Sequence, residues 1–382
     1  KKEVKQNLFQ QLAVICPEQT IFASNTSSIS ITAIASAIPH PERVIGLHFF
    51  NPAPVMKLVE IIRGLKTSAI LADAVFALMA SWNKVPVRAK STPGFIVNRV
   101  ARPYYAEAFR ALQEKATTPE QLDYIMRECG RFAMGPCELT DLIGQDVNFS
   151  VTQSVYQEFF YEPRYRPSLI QKELVDAGCY GRKSGQGFYD YAQAKPASVY
   201  ELPVCYAKLL NKLKVTVKGE WLHSLALIER LKQASHVELS FQVAEQNEIL
   251  IGDLSLRLSL GESVELAYPH DPVVLMDWHA DWSNAKAIPV VASPACSEEQ
   301  RQAAELFLIG MNVIPIWSKD HPGLYVIRSI AMLVNEACEA VLHDIASEQD
   351  IDSAMKYGVN YPCGPFEWAD RIGYYTILQI LE

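Results

Sequence analysis

Residues 93–99 read PGFIVNR, and a related stretch, PGLYVIR, occupies residues 322–328, an offset of 229 positions. At this offset, 15 of the 52 residues between positions 93 and 144 are identical to their counterparts. Self-similarity at a fixed distance is the signature of a duplicated structural module. The end of the chain is therefore expected to repeat the fold of the region that follows residue 91.

Hydrophobic periodicity predicts what the module contains. Apolar residues recur at helical spacing over residues 93–174 and 320–382, which predicts two all-α regions. Residues 1–88 alternate predicted strands and helices, which indicates an α/β layer with a largely parallel sheet, and residues 213–317 repeat this alternation more weakly. Strands are predicted over residues 20–23, 43–50, 55–62 and 85–88, and helices over residues 29–37 and 69–82.

The composition excludes several classes of protein. The 382 residues include 35 Lys and Arg against 43 Asp and Glu, a net charge of −8, which argues against a nucleic-acid partner. The longest apolar stretch, residues 306–317, is interrupted by Asn312 and Pro315 and is shorter than the roughly 20 residues that span a bilayer. The eight cysteines form no C-x-x-C pair, so we predict no metal site, no disulfide framework and a cytoplasmic protein.

The duplication also separates residues needed for folding from candidates for chemistry. Residues kept in both copies are expected to serve the fold, whereas a polar residue present in one copy only is a candidate functional residue. Asn98 is such a residue, because Val97 and Arg99 recur while Asn98 is replaced by Ile327. Further upstream the same offset places Leu256 opposite Ser27, Asp277 opposite His48 and Pro289 opposite Glu60.

His48 and Glu60 are candidates for acid–base chemistry. His48 lies near the end of one predicted strand and Glu60 lies in the next, so the loop between them can bring the two side chains together at the sheet edge. A carboxylate beside an imidazole fixes the tautomer and stabilises the imidazolium, which makes the histidine a competent general base. Spacing alone leaves a second interpretation open, a structural histidine next to a surface glutamate.

Ser27 and Ser28 follow a predicted strand and precede a predicted helix. A serine at this place commonly caps the helix N-terminus. Ligands in open α/β sheets also collect at the carboxyl ends of strands, so a substrate-contacting hydroxyl is the alternative. Position alone does not choose between cap and contact.

Five ordered motifs carry a family resemblance. They are FASNTSSISITAIA (22–35), ERVIGLHFFNPAPVMKLVEII (42–62), STPGFIVNR (91–99), MGPCELTDLIGQD (134–146) and GRKSGQGFYDY (181–191). Together they resemble the signatures of the NAD-dependent L-3-hydroxyacyl-CoA dehydrogenases. With its second helical copy, the chain resembles the bacterial two-copy 3-hydroxybutyryl-CoA and 3-hydroxyadipyl-CoA dehydrogenases, the latter of phenylacetate breakdown.

The resemblance implies roles for individual residues. Ser27 and Asn98 would bind and orient the thioester substrate, His48 would take the C3 hydroxyl proton, and Glu60 would hold His48. Contacts with NAD are implied for Lys5, Asn51 and Lys183. For these three residues an exposed helix lysine, a turn asparagine and a loop lysine remain alternative interpretations.

One family feature is missing from the sequence. No strand followed by a G-x-G-x-x-G turn occurs in the 382 residues, and the cluster Gly181–Gly187 has the wrong spacing and follows a predicted helix. We therefore expect the N-terminal glycine-rich half of the NAD-binding domain to be absent and tight NAD binding to be lost. The choice between NAD and NADP stays open, because the ribose-binding acid is not found.

These observations predict an α/β fold of four parts. They are the C-terminal part of a Rossmann-like NAD-binding domain (1–90), an all-helical dehydrogenase C-terminal domain (91–192), a linker and degenerate α/β segment (193–310) and a second helical copy (311–382). A glycine-rich loop over residues 181–196 would close the first copy.

The predicted activity is oxidation of a short-chain or dicarboxylic (3S)-3-hydroxyacyl-CoA by NAD, and the alternative is a non-catalytic acyl-CoA-binding or assembly subunit. The helical copies are expected to pair as a pseudo-dimer, which does not forbid a homo-oligomer.

Overall fold

In a computed structural model, residues 2–193 and 212–382 are described. Residues 194–211 of the predicted linker, the end of the predicted 181–196 loop and Cys205 lie outside the described residues. The chain forms two compact units. The first unit comprises Lys1–Ala106, Asp146–Leu169 and Leu333–Trp368, and the second comprises Glu107–Gln145, Ile170–Met332 and Ala369–Glu382. Each unit therefore combines segments from both copies of the repeat.

The first unit contains a four-stranded sheet of order β1-β2-β3-β4. Its strands and the helices around them are β1 (Phe22–Ser24), β2 (Val44–Phe49), β3 (Leu58–Arg63), β4 (Val85–Lys90), α1 (Lys2–Ile15), α2 (Ile31–Ala35) and α3 (Ala69–Ser81). β1 pairs with β2 and β3 pairs with β4 in parallel, but β2 and β3 run antiparallel. The expected largely parallel sheet is therefore mixed, because the short β2–β3 connection cannot make a parallel crossover.

The pleat of this sheet decides where polar side chains point. Ile45, Val59 and Ile61 form a buried cluster with residues of α3, and Leu47 and Phe49 pack against it. Successive side chains of a strand point to opposite faces. His48 and Glu60, which alternate with these residues, therefore lie on the face away from α3.

The helical region of the first copy follows β4. Its helices are α4 (Val97–Val100), α5 (Arg102–Gln113), α6 (Pro119–Glu128), α7 (Pro136–Ile143), α8 (Gln145–Glu158) and α9 (Leu169–Asp176). The glycine-rich residues after α9 fold back on α7, because the Asp141 carboxylate accepts hydrogen bonds from the N–H groups of Phe188 and Tyr189 at 3.0 and 3.1 Å. This contact explains how the described part of the predicted loop closes the first copy.

The second unit contains a seven-stranded sheet of order β11-β10-β9-β8-β7-β5-β6. Its elements are β5 (Leu213–Lys218), α10 (Leu225–Gln233), β6 (Val237–Gln242), β7 (Glu248–Ile251), β8 (Leu254–Leu258), α11 (Val264–Ala267), β9 (Val273–Met276), β10 (Ala287–Ala292), α12 (Glu298–Gly310) and β11 (Ile314–Trp317). Strands β8 to β11 repeat the parallel, antiparallel, parallel pattern of β1 to β4. The weak alternation in the sequence is thus a second sheet.

Strand register tests the 229-residue offset. Leu58 pairs with Val85 in the first sheet, and their counterparts Ala287 and Ile314 pair in the second. At the first strand the offset changes: Phe22 pairs with Val44, whereas Ser255 pairs with the counterpart Val273, which corresponds to an offset of 233. The residue opposite Ser27 is therefore Leu260, and the expected match with Leu256 is wrong because the connection between β8 and β9 is four residues shorter than the connection between β1 and β2.

The second copy ends in helices α13 (Val326–Leu342), α14 (Glu348–Val359), α15 (Pro365–Ile372) and α16 (Tyr374–Leu381). Among the described residues, no helix combines the length and the apolarity needed to cross a membrane.

The residues retained in both copies hold the ends of these helices. Asp123 accepts hydrogen bonds from the N–H groups of Cys137 and Glu138 at the start of α7, and Asp352 does the same at the start of α15. A carboxylate here satisfies donors that a helix N-terminus leaves open. Any Cβ at Gly135 or Gly364 would lie within 2.4 Å of the respective aspartate, so both glycines are required by close approach.

Candidate active site

His48 and Glu60 meet across the antiparallel β2–β3 pair. They are direct partners in the strand register, and His48 Nδ1 lies 2.5 Å from Glu60 Oε2. Glu60 is fully buried and His48 is 7% exposed. The alternative of a surface glutamate is therefore wrong. With Nδ1 directed at the carboxylate, Nε2 is the ring nitrogen left to accept a proton.

The second oxygen of Glu60 is held by the main chain. Glu60 Oε1 accepts hydrogen bonds from the N–H groups of Ile96 and Val97 at 3.0 and 2.9 Å, where α4 begins. Two backbone donors and the imidazole thus use both carboxylate oxygens. This arrangement fixes the carboxylate and, through it, the orientation of His48.

Two phenylalanines cover the imidazole. The His48 ring centre lies 4.6 Å from that of Phe50 and 5.9 Å from that of Phe95, the latter in an edge-on arrangement. Phe95 is fully buried and Phe50 is half-buried. Apolar rings around a base limit its access to water, which strengthens the electrostatic effect of the neighbouring carboxylate.

Asn98 and Ser27 lie on segments attached to this dyad. Asn98 directly follows Val97, whose N–H binds Glu60, and it is half-buried on α4. Ser27 lies in the loop after β1, which is tied to the end of β2 because Asn25 Oδ1 accepts a hydrogen bond from the Phe49 N–H at 2.9 Å. The cap of α2 is Ser30, whose Oγ accepts a hydrogen bond from Ala33 N–H. The capping interpretation of Ser27 and Ser28 is therefore wrong.

The three residues implied for NAD lie in different places. Lys5 is half-buried on α1, and Asn51 is exposed just after β2, both in the first unit. Lys183 belongs to the second unit, where it is exposed in a 3₁₀ turn with its Nζ 5.4 Å from the Tyr180 ring centre. The structure therefore does not group the three residues in one unit, and their role stays a prediction.

The second copy has lost the dyad. Asp277 occupies the position of His48 and accepts hydrogen bonds from the N–H groups of Tyr325, Val326 and Ile327 at 2.8–3.0 Å. Burial raises the pKa of Asp277 to about 6. Asp277 thus accepts hydrogen bonds from the N–H groups at the start of α13, as Glu60 does at the start of α4. Pro289, at the position of Glu60, adds no polar side chain. A cavity of about 420 Å³ lies beside Ile327, and the histidine in its lining is His223.

Three family models match the chain. The 3-hydroxyacyl-CoA dehydrogenase NAD-binding domain matches residues 1–92, and the C-terminal domain of the same family matches residues 94–191 and 323–382. A 3-hydroxybutyryl-CoA dehydrogenase reduced Rossmann-fold domain matches residues 256–322.

Two of the similar proteins cover the whole chain. A 3-hydroxyadipyl-CoA dehydrogenase of Escherichia coli is 44% identical over 380 residues, 100% of this chain and 74% of the relative. The chain belongs to the 3-hydroxyacyl-CoA dehydrogenase family. The crystal structure of a 3-hydroxybutyryl-CoA dehydrogenase from E. coli K12 matches with a TM-score of 0.87 and 43% identity, covering 100% of this chain and 74% of that one. A 3-hydroxybutyryl-CoA dehydrogenase of Clostridioides difficile is 44% identical over 188 residues, 49% of this chain and 66% of the relative.

Family membership confirms the predicted fold class, NAD as cofactor and the class of reaction, oxidation of a 3-hydroxyacyl-CoA. It also corrects one expectation. The NAD-binding model matches from residue 1, so the prediction that the N-terminal half of this dehydrogenase domain is absent is wrong. That prediction relied on a single glycine turn, whereas the matched region, residues 1–92, contains strands β1 to β4.

The donor groups at the carboxyl ends of β1 and β2 fit a dinucleotide. The loops after β1 and β2 leave the carboxyl ends of two parallel strands, where dinucleotides bind in such sheets. Asn51 in the loop after β2 offers an amide group, and His48 lies near the end of β2.

The residues that sequence reasoning missed are the backbone donors of Ile96 and Val97 and the ring of Phe95. The repeated Val97 signalled only a structural role. The signal that could have found the donors is Asp277, because a carboxylate reaches the same helix start in the copy that lacks His48.

Proposed function

We propose that this dehydrogenase oxidises the C3 hydroxyl of a (3S)-3-hydroxyacyl-CoA with His48 as the general base. The observation that carries the proposal is the 2.5 Å hydrogen bond between His48 Nδ1 and a buried Glu60 whose other oxygen is held by two backbone N–H groups. A general base must lie within about 3 Å of the proton that it removes. His48 Nε2 is the nitrogen available for this contact.

Each residue then has one task. His48 Nε2 takes the hydroxyl proton as the C3–H bond breaks, and Glu60 stabilises the imidazolium that results. NAD, when bound, accepts the hydride from C3. Ser27 and Asn98 orient the thioester, and contacts with the dinucleotide are assigned to Lys5, Asn51 and Lys183 by the resemblance.

The proposed substrate is a short-chain or dicarboxylic acyl-CoA, and phenylacetate breakdown is the proposed context. The relatives that support this proposal are named 3-hydroxyadipyl-CoA and 3-hydroxybutyryl-CoA dehydrogenases. One methylene changes binding by only about 1–3 kcal/mol, so chain length must be measured.

The test is NADH formation with 3-hydroxybutyryl-CoA and 3-hydroxyadipyl-CoA. His48→Gln is expected to lower kcat by about 10²- to 10⁴-fold, because proton removal loses its base. His40→Gln is the matched control, since His40 is an exposed histidine of the same unit. Unchanged turnover in His48→Gln would remove His48 from the mechanism. A wild-type protein that binds acyl-CoA but forms no NADH would favour the non-catalytic subunit.

Pairing of the two helical copies within the chain is part of the proposal. Arg99 Nε lies 2.5 Å from Glu336 Oε1 in the first unit, and the equivalent pair, Arg328 Nε and Glu107 Oε2, lies at 2.5 Å in the second. Reciprocal contacts of this kind are those of a two-fold interface. Further association into a homo-oligomer is compatible with it. The cytoplasm is the proposed location, supported by free cysteines such as Cys129 and Cys137.

A further inference from the structure

Arg102 is a buried charge that the proposed mechanism does not use. It begins α5 in the first unit and is 5% exposed. Its Nη1 donates a hydrogen bond to Thr152 Oγ1 at 2.9 Å, and its guanidinium carbon lies 4.8 Å from the Tyr105 ring centre. Within the described residues Arg102 forms no ion pair, and its Nε has no hydrogen-bond partner. A buried cation without an anion is costly, so an anionic ligand is a natural partner.

The duplication shows that the fold does not need this charge. At the 229-residue offset the counterpart of Arg102 is Ala331, which is fully buried. The polar groups around the guanidinium are lost as well, since Tyr105, Thr152 and Tyr361 correspond to Val334, Leu381 and Phe132. The same helix position is thus filled by alanine in one copy and by an arginine in the copy that carries His48 and Asn98.

Helix geometry places Arg102 next to the proposed substrate contact. Arg102 follows Asn98 by four residues, and Ala101 between α4 and α5 keeps helical dihedral angles of −77° and −9°. Residues four apart share a helix face and lie about 6 Å apart. Tyr361 packs on the same helix, since its ring centre lies 5.6 Å from that of Tyr104. Tyr361 follows Gly358 by three residues, and a Cβ on Gly358 would lie 3.2 Å from the Val97 side chain.

This spacing fits one class of acyl group. In a six-carbon dicarboxylic acyl group the terminal carboxyl carbon lies five bonds from the thioester carbon, roughly 6 Å when the chain is extended. This length matches the separation of two residues that lie one helix turn apart, so an acyl group whose thioester is oriented by Asn98 brings its terminal carboxylate to Arg102. We propose that Arg102 binds the terminal carboxylate of a dicarboxylic 3-hydroxyacyl-CoA and so selects it over monocarboxylic substrates. This assignment rests on the proposed function.

The experiment compares two substrates that differ only at the chain end, 3-hydroxyadipyl-CoA with a carboxylate and 3-hydroxyhexanoyl-CoA with a methyl group. The wild-type enzyme is expected to prefer the first in kcat/KM. Arg102→Leu should lower kcat/KM for 3-hydroxyadipyl-CoA by about 10²- to 10³-fold and leave that for 3-hydroxyhexanoyl-CoA within about threefold. Arg110→Leu is the matched control, since Arg110 is an exposed arginine of the same helix.

The outcomes separate the two proposals. An equal loss for both substrates would mean that Arg102 only supports the fold, and a wild-type enzyme with no preference would also overturn the assignment. If the wild type oxidises neither substrate, the proposed function fails instead. Should Arg102→Leu not fold, Thr152→Val removes the hydroxyl that orients the guanidinium. Its loss is expected for 3-hydroxyadipyl-CoA alone, and an equal effect on both substrates would contradict the proposal.

Discussion

Glu60 shows how one buried carboxylate serves two purposes. Its Oε2 orients His48, and its Oε1 holds the start of α4 through Ile96 and Val97. The segment that carries Asn98 is thereby fixed relative to the base. In the second copy only the helix-holding task remains, and Asp277 performs it from the neighbouring strand.

Glu60→Gln should impair both the orientation of His48 and the hydrogen bonds at the start of α4. A glutamine has one acceptor oxygen, so its NH₂ group must face either His48 Nδ1–H or the backbone N–H groups, which are donors as well. We expect kcat to fall by about 10²- to 10⁴-fold, and the free energy of unfolding to fall by about 1–3 kcal/mol. Steady-state kinetics and urea denaturation measure the two effects. Glu42→Gln, at an exposed glutamate, is the control; a Glu60→Gln enzyme with normal kcat would show that the carboxylate does not orient His48.

At this scale the sequence predicted the pairing of His48 with Glu60 but not what holds Glu60. The pairing depends on two strands joined by a short loop, which local pattern reveals. The contact with Ile96 and Val97 joins residues 36 and 37 positions apart and depends on where α4 begins. The capping residue of α2 could not be predicted for a similar reason. Ser27, Ser28 and Ser30 are all acceptable cap residues, and the hydrogen bond from the Ala33 N–H identifies Ser30 as the cap.

Among the helices, the start of α7 depends on Asp123. This carboxylate accepts hydrogen bonds from two N–H groups of α7 and from the Tyr189 hydroxyl, which donates at 2.6 Å. Burial nevertheless raises the pKa of Asp123 from 3.8 to about 6. The folded state then binds this proton more tightly than the unfolded chain does. The contribution of Asp123 protonation to the free energy of unfolding is therefore largest below about pH 4 and is lost as the pH rises through 6.

Asp123→Asn removes this titration. The free energy of unfolding of the wild type, minus that of the variant, should fall by up to about 3 kcal/mol between pH 4 and pH 7. Urea denaturation at four pH values across this range measures the difference. Asp176→Asn, at an exposed aspartate, should give a constant difference. A difference that rises with pH for Asp123→Asn would show that the hydrogen bonds outweigh burial.

Most element positions follow from the sequence, and their pairing follows less well. Helix α3 was predicted over residues 69–82 and ends at Ser81. The antiparallel β2–β3 pair contradicts the expected parallel sheet, because alternation of strands and helices was extended over a loop that contains no helix. The order of the seven strands could not be predicted from the sequence. β5 lies between β6 and β7 in the sheet, and neighbours that are not consecutive in the chain leave no local sequence pattern.

For the whole molecule, the mixing of the two copies within each compact unit is the central property. Residues 333–368 of the second copy belong to the unit with the His48 dyad, and residues 107–145 of the first copy belong to the unit with the seven-stranded sheet. Neither copy is therefore a self-contained domain in this chain. The second copy, which lacks the dyad, supplies α14 to the first unit, where this helix packs against β3 and β4.

The two reciprocal ion pairs allow this dependence to be measured. Arg99 and Glu336 are each 2% exposed, so Arg99→Met removes the buried cation of this pair. Glu336 keeps Arg164 Nη1 at 3.5 Å and the Tyr165 hydroxyl, which donates at 2.5 Å, so the free energy of unfolding should fall by about 3 kcal/mol, the lower end of the range for a broken buried pair. Arg328 is 20% exposed and its partner Glu107 also lies 3.7 Å from Arg110, so Arg328→Met should cost less, about 1–3 kcal/mol.

Urea denaturation of both variants and of Arg99→Met/Glu336→Met tests this expectation. The double variant should recover part of the loss, because it also removes the buried carboxylate that has lost its most buried cation. Equal losses in the two single variants would show that burial does not set the strength of these pairs. A negligible loss in both would mean that the ion pairs do not hold the copies together.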